Sequence, residues 1–341
     1  EIVIAASQYT SLVDAREGIN TWRESESISM GIVEHLAREY DEAAVFVVGN
    51  FGHGSSKFEN IIGSSGTKSQ PLLNFELILT ELIAQAAAGD DAGFETIWGR
   101  SVEVIADVMC GHESNYVDSA AVYKNRLDVL DTRVSGWKAI TSQTADIPIC
   151  IMPPSAPSND GASPPIVNPV CTASVEWALE SPALRMVAPV YDADVGDYAT
   201  VHYPAAAHRM NGEVAGSYLA RWIIDGRAPF LHMTGATESG VTITVNLSEP
   251  VFVDVYGCDT VNALGFYVQD SNGIATPSAA SLSDDGLTVT LTLSAALTGT
   301  GKVVATGSGV KEYAGTVNGM GRQYGLRTNV CAVEPSGFSN T

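Results

Sequence analysis

Residues 102–115, Val102-Glu-Val-Ile-Ala-Asp-Val-Met109-Cys110-Gly111-His112-Glu113-Ser114-Asn115, decide how the first part of the chain is read. An apolar run of strand length breaks into a short polar segment that opens with glycine, and a helical pattern follows. Downstream, Val122, Leu127, Leu130, Val134 and Trp137 make the apolar stripe of that helix, and Ile147-Pro-Ile-Cys-Ile-Met152 is the next strand. Upstream, Leu72, Phe75, Leu79, Leu82 and Ile83 mark a helix over 71–88. The run Ala43-Ala-Val-Phe-Val-Val48 is continuous and apolar, as in a buried parallel strand. Before it, Met30, Ile32, Val33, Leu36 and Ala37 give a helix over 27–40, behind serines able to cap it. After 152 comes a segment to 169 with six prolines, read as a surface excursion. Helices over 174–184 and 212–225, around the strand Met186-Val-Ala-Pro-Val-Tyr191, complete the series. Strand–helix alternation predicts an α/β domain with an open, mostly parallel sheet and helices on both faces.

From about Pro229 the pattern changes to period two. Val241-Thr-Ile-Thr-Val-Asn-Leu, Val251-Phe-Val-Asp-Val-Tyr, Leu287-Thr-Val-Thr-Leu-Thr-Leu and Lys302-Val-Val-Ala-Thr alternate, with turn residues at Asn272-Gly273, Asp285-Gly286 and 298–301. Short strands at such spacing predict a C-terminal β-sandwich over 229–341, an accessory or assembly module following an α/β domain over 1–228. The sequon Asn246-Leu-Ser248 falls inside one of these strands.

With 341 residues the chain is long enough for two domains and for a core that needs no disulfide staples. Hydrophobic residues make up 45% and charged residues 17%, which excludes a disordered chain and a coiled coil. Eighteen Lys and Arg against 39 Asp and Glu leave a net charge of −21, which argues against nucleic acid and against anionic membrane as partners. No apolar run approaches the ~20 residues of a membrane span. The five cysteines (Cys110, Cys150, Cys171, Cys258, Cys331) have no zinc-site spacing and read as small buried hydrophobes, so no metal and no cofactor is expected. Glu1 opens directly into an apolar run without a leader, and the chain is therefore expected to be a piece of a longer translation product.

Ligands on open α/β sheets sit at the carboxyl ends of the strands, and three segments follow strands there. Gly49-Asn-Phe-Gly52-His-Gly54-Ser-Ser56 can bring backbone N–H groups to an anionic oxygen. In 110–115 the Asn115 amide can donate to the same oxygen, and Glu113 can orient its neighbours. His202, in Ala199-Thr-Val-His202-Tyr-Pro204, precedes the last helix and suits a general base for a hydroxyl nucleophile.

Together these segments resemble the SGNH hydrolase superfamily, in particular its carbohydrate acetylesterase branch: the sialate O-acetylesterase-like proteins, including esterase modules of phage tail proteins. Gly54 matches the family's oxyanion glycine, Glu113-Ser114-Asn115 its third block, and His202 its late histidine, trailed by Ala-Ala-His-Arg-Met-Asn-Gly-Glu213. The runs 9–17 and 26–31 are similar to what precedes the oxyanion glycine in phage-type members, and 323–329 to the closing strand of their β-module. The resemblance implies a flavodoxin-like three-layer α/β/α domain. It also implies catalytic roles for His202, Gly54 and Asn115, with Glu113, Ser56 and His112 lining the substrate.

Three departures stand out. No Gly-Asp-Ser, Gly-Gln-Ser or Gly-x-Ser-x-Gly is present. The resemblance puts the nucleophile block upstream of Tyr9, on a removed or separate N-terminal piece, and Ser7 is the in-chain alternative. His112 stands where the third block often has glycine. The aspartate that many relatives carry just before the histidine is replaced by Ala199 and Thr200, leaving a Ser–His dyad or an aspartate from elsewhere, such as Asp194 or Asp197.

The function expected is deacetylation of a bacterial surface polysaccharide by a virion or extracellular protein of a phage tail, in company with other virion proteins. A non-catalytic glycan-binding or virion structural protein with a decayed site is the alternative. A secreted lipase or esterase of the same fold fits less well, because the surroundings of Ser55, Lys57 and Asn115 are polar.

Overall fold

The computed structural model describes residues 2–3, 28–39, 46–47, 57–88, 99–110, 118–153, 169–188, 205–226, 231–253, 262–306 and 330–332. The chain divides into two compact units. The first comprises Glu1–Pro154, Pro169–Val190 and Tyr203–Pro229, and the second Ser155–Asn168, Tyr191–His202 and Phe230–Thr341.

In the first unit the elements run β1 (Ile2–Val3), α1 (Ile28–Glu39), β2 (Phe46–Val47), α2 (Phe58–Ile62), α3 (Gln70–Ala88), β3 (Asp107–Cys110), α4 (Ala120–Thr141), β4 (Ile149–Met152), α5 (Pro169–Leu179), β5 (Arg185–Val187) and α6 (Ala205–Asp225). Strands β3, β4 and β5 form a parallel sheet in that order, and β1 pairs in parallel with β2, Ile2 opposite Phe46. All four residues of β4 are buried, so both of its faces are covered. Ile149 and Ile151 join one apolar core with Leu72, Phe75 and Leu79 of α3, Leu127, Leu130 and Trp137 of α4, and Trp177 of α5. Phe75 meets Trp137 edge-on at 4.4 Å, a favourable aromatic geometry. Cys150 and Met152, both buried, alternate to the other side of the strand, and α6 also lies against β4.

Several boundaries differ from the sequence expectation for local reasons. The run 102–106 is not strand: the Gln143 amide binds the Val104 backbone on both sides, accepting from its N–H at 2.8 Å and donating to its carbonyl at 2.9 Å. α5 starts at Pro169 because proline suits a helix's first turn, and 181–184 turn back with Leu184 N–H on the Ser181 carbonyl. α2 was not foreseen; it is a short turn held on α4 by the Phe58–Tyr123 edge contact at 5.8 Å and by Arg133 donating to the Ser64 carbonyl. α3 is long and apolar enough to cross a bilayer, contrary to the composition reading, but Leu72, Phe75, Ile78, Leu79, Leu82 and Ala86 are buried within the protein.

α6 begins at Ala205, ahead of Gly212 where the sequence reading started it, and Gly212 lies inside the helix as a contact point. A Cβ on Gly212 would strike the Ile28 backbone, one on Gly31 the backbone of Arg209 and Glu213, and one on Gly216 would come within 2.9 Å of Ile32 Cα. Helices α1 and α6 therefore run side by side in the same direction with backbones in contact.

The second unit contains β6 (Met233–Ser239), β7 (Thr242–Leu247), β8 (Val251–Val253), β9 (Phe266–Asp270), β10 (Gly273–Ala275), β11 (Ala279–Leu282), β12 (Thr288–Thr292), β13 (Val303–Thr306) and β14 (Val330–Ala332). The antiparallel sheets β11-β12-β7-β6 and β10-β9-β13 contribute to one core, with Ile243, Val245, Val289 and Leu291 from the first and Phe266 and Val268 from the second. β8 pairs with β14. At the expected Asp285-Gly286 turn, the Asp285 carboxylate accepts from Leu287 N–H and Ser283 Oγ, and Gly286 takes φ +71°.

Gly212→Ala is expected to destabilise the protein by about 1–3 kcal/mol, since the helix backbones must separate. Gly136, exposed in α4 with open space around its Cα, is the control: Gly136→Ala should stabilise by about 0.5–1 kcal/mol. Denaturant melts of the two variants check both signs.

Candidate functional site

A parallel sheet gathers the carboxyl ends of its strands along one edge, and Cys110, Met152 and Val187 mark that edge here. The chain leaves β3 at Cys110, directly before the segment bearing His112, Glu113 and Asn115. It leaves β2 at Val47, ahead of Gly54 and Ser56, and β1 at Val3, ahead of Ser7. His202 lies three positions before α6. Ser7, Gly54, Ser56, His112, Glu113, Asn115, Asp194, Asp197 and His202 themselves lie outside the described residues, as do their mutual distances.

What is described is the framework from which these segments depart and to which they return. The segment after β2 re-enters the fold at α2, and the one after β3 re-enters at Asp118, followed by Ser119, whose Oγ accepts from Val122 N–H and caps α4. Arg126, one helical turn further into α4, reaches both points. Its Nη1 donates to Asp118 Oδ2 and its Nη2 to Glu59 Oε1 at 3.1 Å, from a side chain only 16% exposed. Two carboxylates on one guanidinium use the planar donor fork that lysine lacks. The residue escaped the sequence reading because an isolated arginine on a helix carries no local signal of its partners.

Asp107 also escaped it, although an ionisable side chain inside an apolar run is a signal. It is buried at the amino end of β3, opposite Ile149, and its own N–H donates to the Pro148 carbonyl at 2.9 Å. Its Oδ2 has no hydrogen-bond partner among the described residues. Burial pushes its pKa up to about 7, because the charged form would lose its hydration. Three residues of strand, about 10 Å, separate it from the carboxyl edge at Cys110, so it stands apart from the segments above. No group of three or more His, Cys, Asp or Glu that could hold a metal occurs among the described residues.

No protein-family model and no curated protein matches the chain. Among solved structures it is similar to a carbohydrate acetylesterase from Xanthomonas citri, at 14% identity and a TM-score of 0.52 over 89% of this chain. The chain spans 61% of the length of that structure. Two structures of the bacterial S-layer protein SbsC match at 15% and 12% identity, covering 57% and 91% of this chain and 36% and 34% of theirs, with TM-scores of 0.20 and 0.21. The first likeness is one of fold: a mixed α/β protein distantly similar to an esterase, with separate antiparallel sheets.

A buried carboxyl whose pKa is raised holds its proton when folded and releases it when unfolded. Between pH 4 and 7 the native state thus binds one more proton, and Asp107 makes stability fall as pH rises through that window. Asp107→Asn should remove this loss, on the order of 4 kcal/mol at pH 8, and should equal the wild type below pH 4. Thermal melts across that pH range read the difference directly.

Proposed function

We propose that the protein is a carbohydrate O-acetylesterase of the SGNH type, acting on a bacterial surface polysaccharide as part of a phage tail or other extracellular assembly. The observation that carries this reading is the fold likeness to an acetylesterase over 89% of the chain, in a chain whose strands β2 and β3 exit toward Gly54 and Asn115. The parallel pair β1-β2 and the parallel sheet β3-β4-β5 are the two pieces of a flavodoxin-like order 2-1-3-4-5, and we take β1 to join them beside β3. The two antiparallel sheets that share a core we take as a β-sandwich module, and the division near residue 229 as a domain boundary.

In the proposed reaction a serine Oγ attacks the acetyl carbonyl while His202 takes its proton. Backbone N–H at Gly54 and the Asn115 amide hold the tetrahedral oxyanion. His202 then returns the proton to the departing sugar oxygen, and water, activated by the same imidazole, releases acetate and restores the serine. Glu113, Ser56 and His112 line the acetylated sugar. Ser7 is the nucleophile favoured by the pairing of β1 with β2, since one side of β2 is then occupied by the chain's own strand four residues before it. A serine on a companion N-terminal chain is the competing source.

The absence of an aspartate at Ala199 and Thr200 favours a second reading, a glycan-binding virion protein that keeps the fold without turnover. Purified chain is incubated with O-acetylated polysaccharide and with 4-nitrophenyl acetate, and acetate release is followed. His202→Ala should lower kcat by roughly 10²- to 10⁴-fold. Ser7→Ala should do at least as much. Turnover retained in Ser7→Ala assigns the nucleophile to another chain, which intact-mass spectrometry of the sample identifies. Glycan binding without any acetate release leaves the second reading.

A further inference from the structure

We infer that Arg126 is a positioning residue of the site, a single guanidinium that fixes the re-entry points of both oxyanion-bearing segments relative to one another. The inference rests on the esterase reading for its functional meaning, but its geometry is independent of it. Glu59 lies three residues after Ser56, and Asp118 three residues after Asn115. The two carboxylates are 59 positions apart in sequence and meet on one side chain. Arg126 projects from α4, whose Tyr123, Leu127 and Leu130 are wholly buried, so its base is rigid.

The arrangement separates two tasks. Attachment of α2 to α4 is already secured by Phe58 against Tyr123 and by Arg133 on the Ser64 carbonyl. Arg126 adds the link between α2 and the approach to α4. An oxyanion hole assembled from two different segments works only if their donors keep a fixed separation, and misplacement by about 1 Å can cost on the order of 100-fold in rate. Loss of Arg126 should therefore leave the fold intact and degrade that separation.

The test uses the full chain with Arg126→Gln, Arg126→Lys and, as control, Arg133→Gln. Each is assayed for kcat and KM on 4-nitrophenyl acetate and for hydrogen exchange in peptides covering 49–59 and 111–118. Arg126→Gln is expected to lower kcat about 10- to 100-fold with KM held within about twofold, and to speed exchange in both peptides while β4 and the centre of α4 stay protected. Arg126→Lys should rescue only part of the loss, since an ammonium does not present the fork. Arg133→Gln should leave kcat unchanged. Folded Arg126→Gln with wild-type kcat and exchange overturns the inference, and so does faster exchange spread evenly through α4 and β4. If Arg126→Gln does not fold, the pair Glu59→Gln and Asp118→Asn removes the two arms separately and is read by the same outcomes. A wild type that hydrolyses no ester sinks the esterase reading, while the exchange measurement still decides the clamp.

Discussion

Ile149, Cys150, Ile151 and Met152 are each closed off from water, and most of the first unit follows from that. A strand reaches this state only with a partner on each edge and apolar cover on each face, because unpaired backbone groups and exposed side chains would both admit solvent. β3 and β5 provide the edges, both parallel, and parallel neighbours require long crossovers, here α4 and α5. The crossovers supply the cover in turn, through Trp137 and Trp177 on the side of Ile149 and Ile151. One buried strand thus dictates a layered fold and makes its carboxyl edge the place where polar segments emerge.

Helix α4 organises the surroundings of that strand. Its buried stripe meets the core, while its flanks hold other elements through polar contacts at the core's margin. Asp128 accepts from the Trp177 indole N–H at 3.0 Å, and Asp131 pairs with Arg185 at 2.9 Å. Arg185 in turn stacks over the Trp177 ring at 4.1 Å, a cation–π contact. The opposite flank carries Arg126 and Arg133 toward α2. Ion pairs that were exposed would add little to stability, but those leaning on an aromatic core restrict orientation as well as distance.

The sequence showed the type and order of most elements and little of how they meet. Long stripes such as those of α3 and α4 are legible because burial forces a 3.6-residue period on them, and β4 because two covered faces force a continuous apolar run. β6, β9, β10 and β11 were missed: β6 has no apolar residue after Met233 other than Ala236, and the other three are short and next to turns, leaving too few residues to show a period. The sequence reading started the last helix at Gly212 where it starts at Ala205, and the backbone of α1 against Gly212 explains a glycine inside that helix. The strand ends ahead of Gly54 and of Asn115 were legible, since topology sets them, while the candidate site residues themselves lie outside the described residues. Arg126 was not, because ion-pair partners 8 and 67 residues away leave no trace in a local pattern.

A part-buried guanidinium shared between two carboxylates is a poor way to gain stability. Desolvation offsets much of the Coulomb attraction, and apolar contact of the same size would hold two helices as well or better. The Phe58–Tyr123 contact already does this a turn away. What the fork adds is direction: five donors in a plane fix angle and separation where an apolar contact tolerates sliding. The ionic link thus sets the angle and separation of α2 and the start of α4, on a framework whose stability comes from the apolar core.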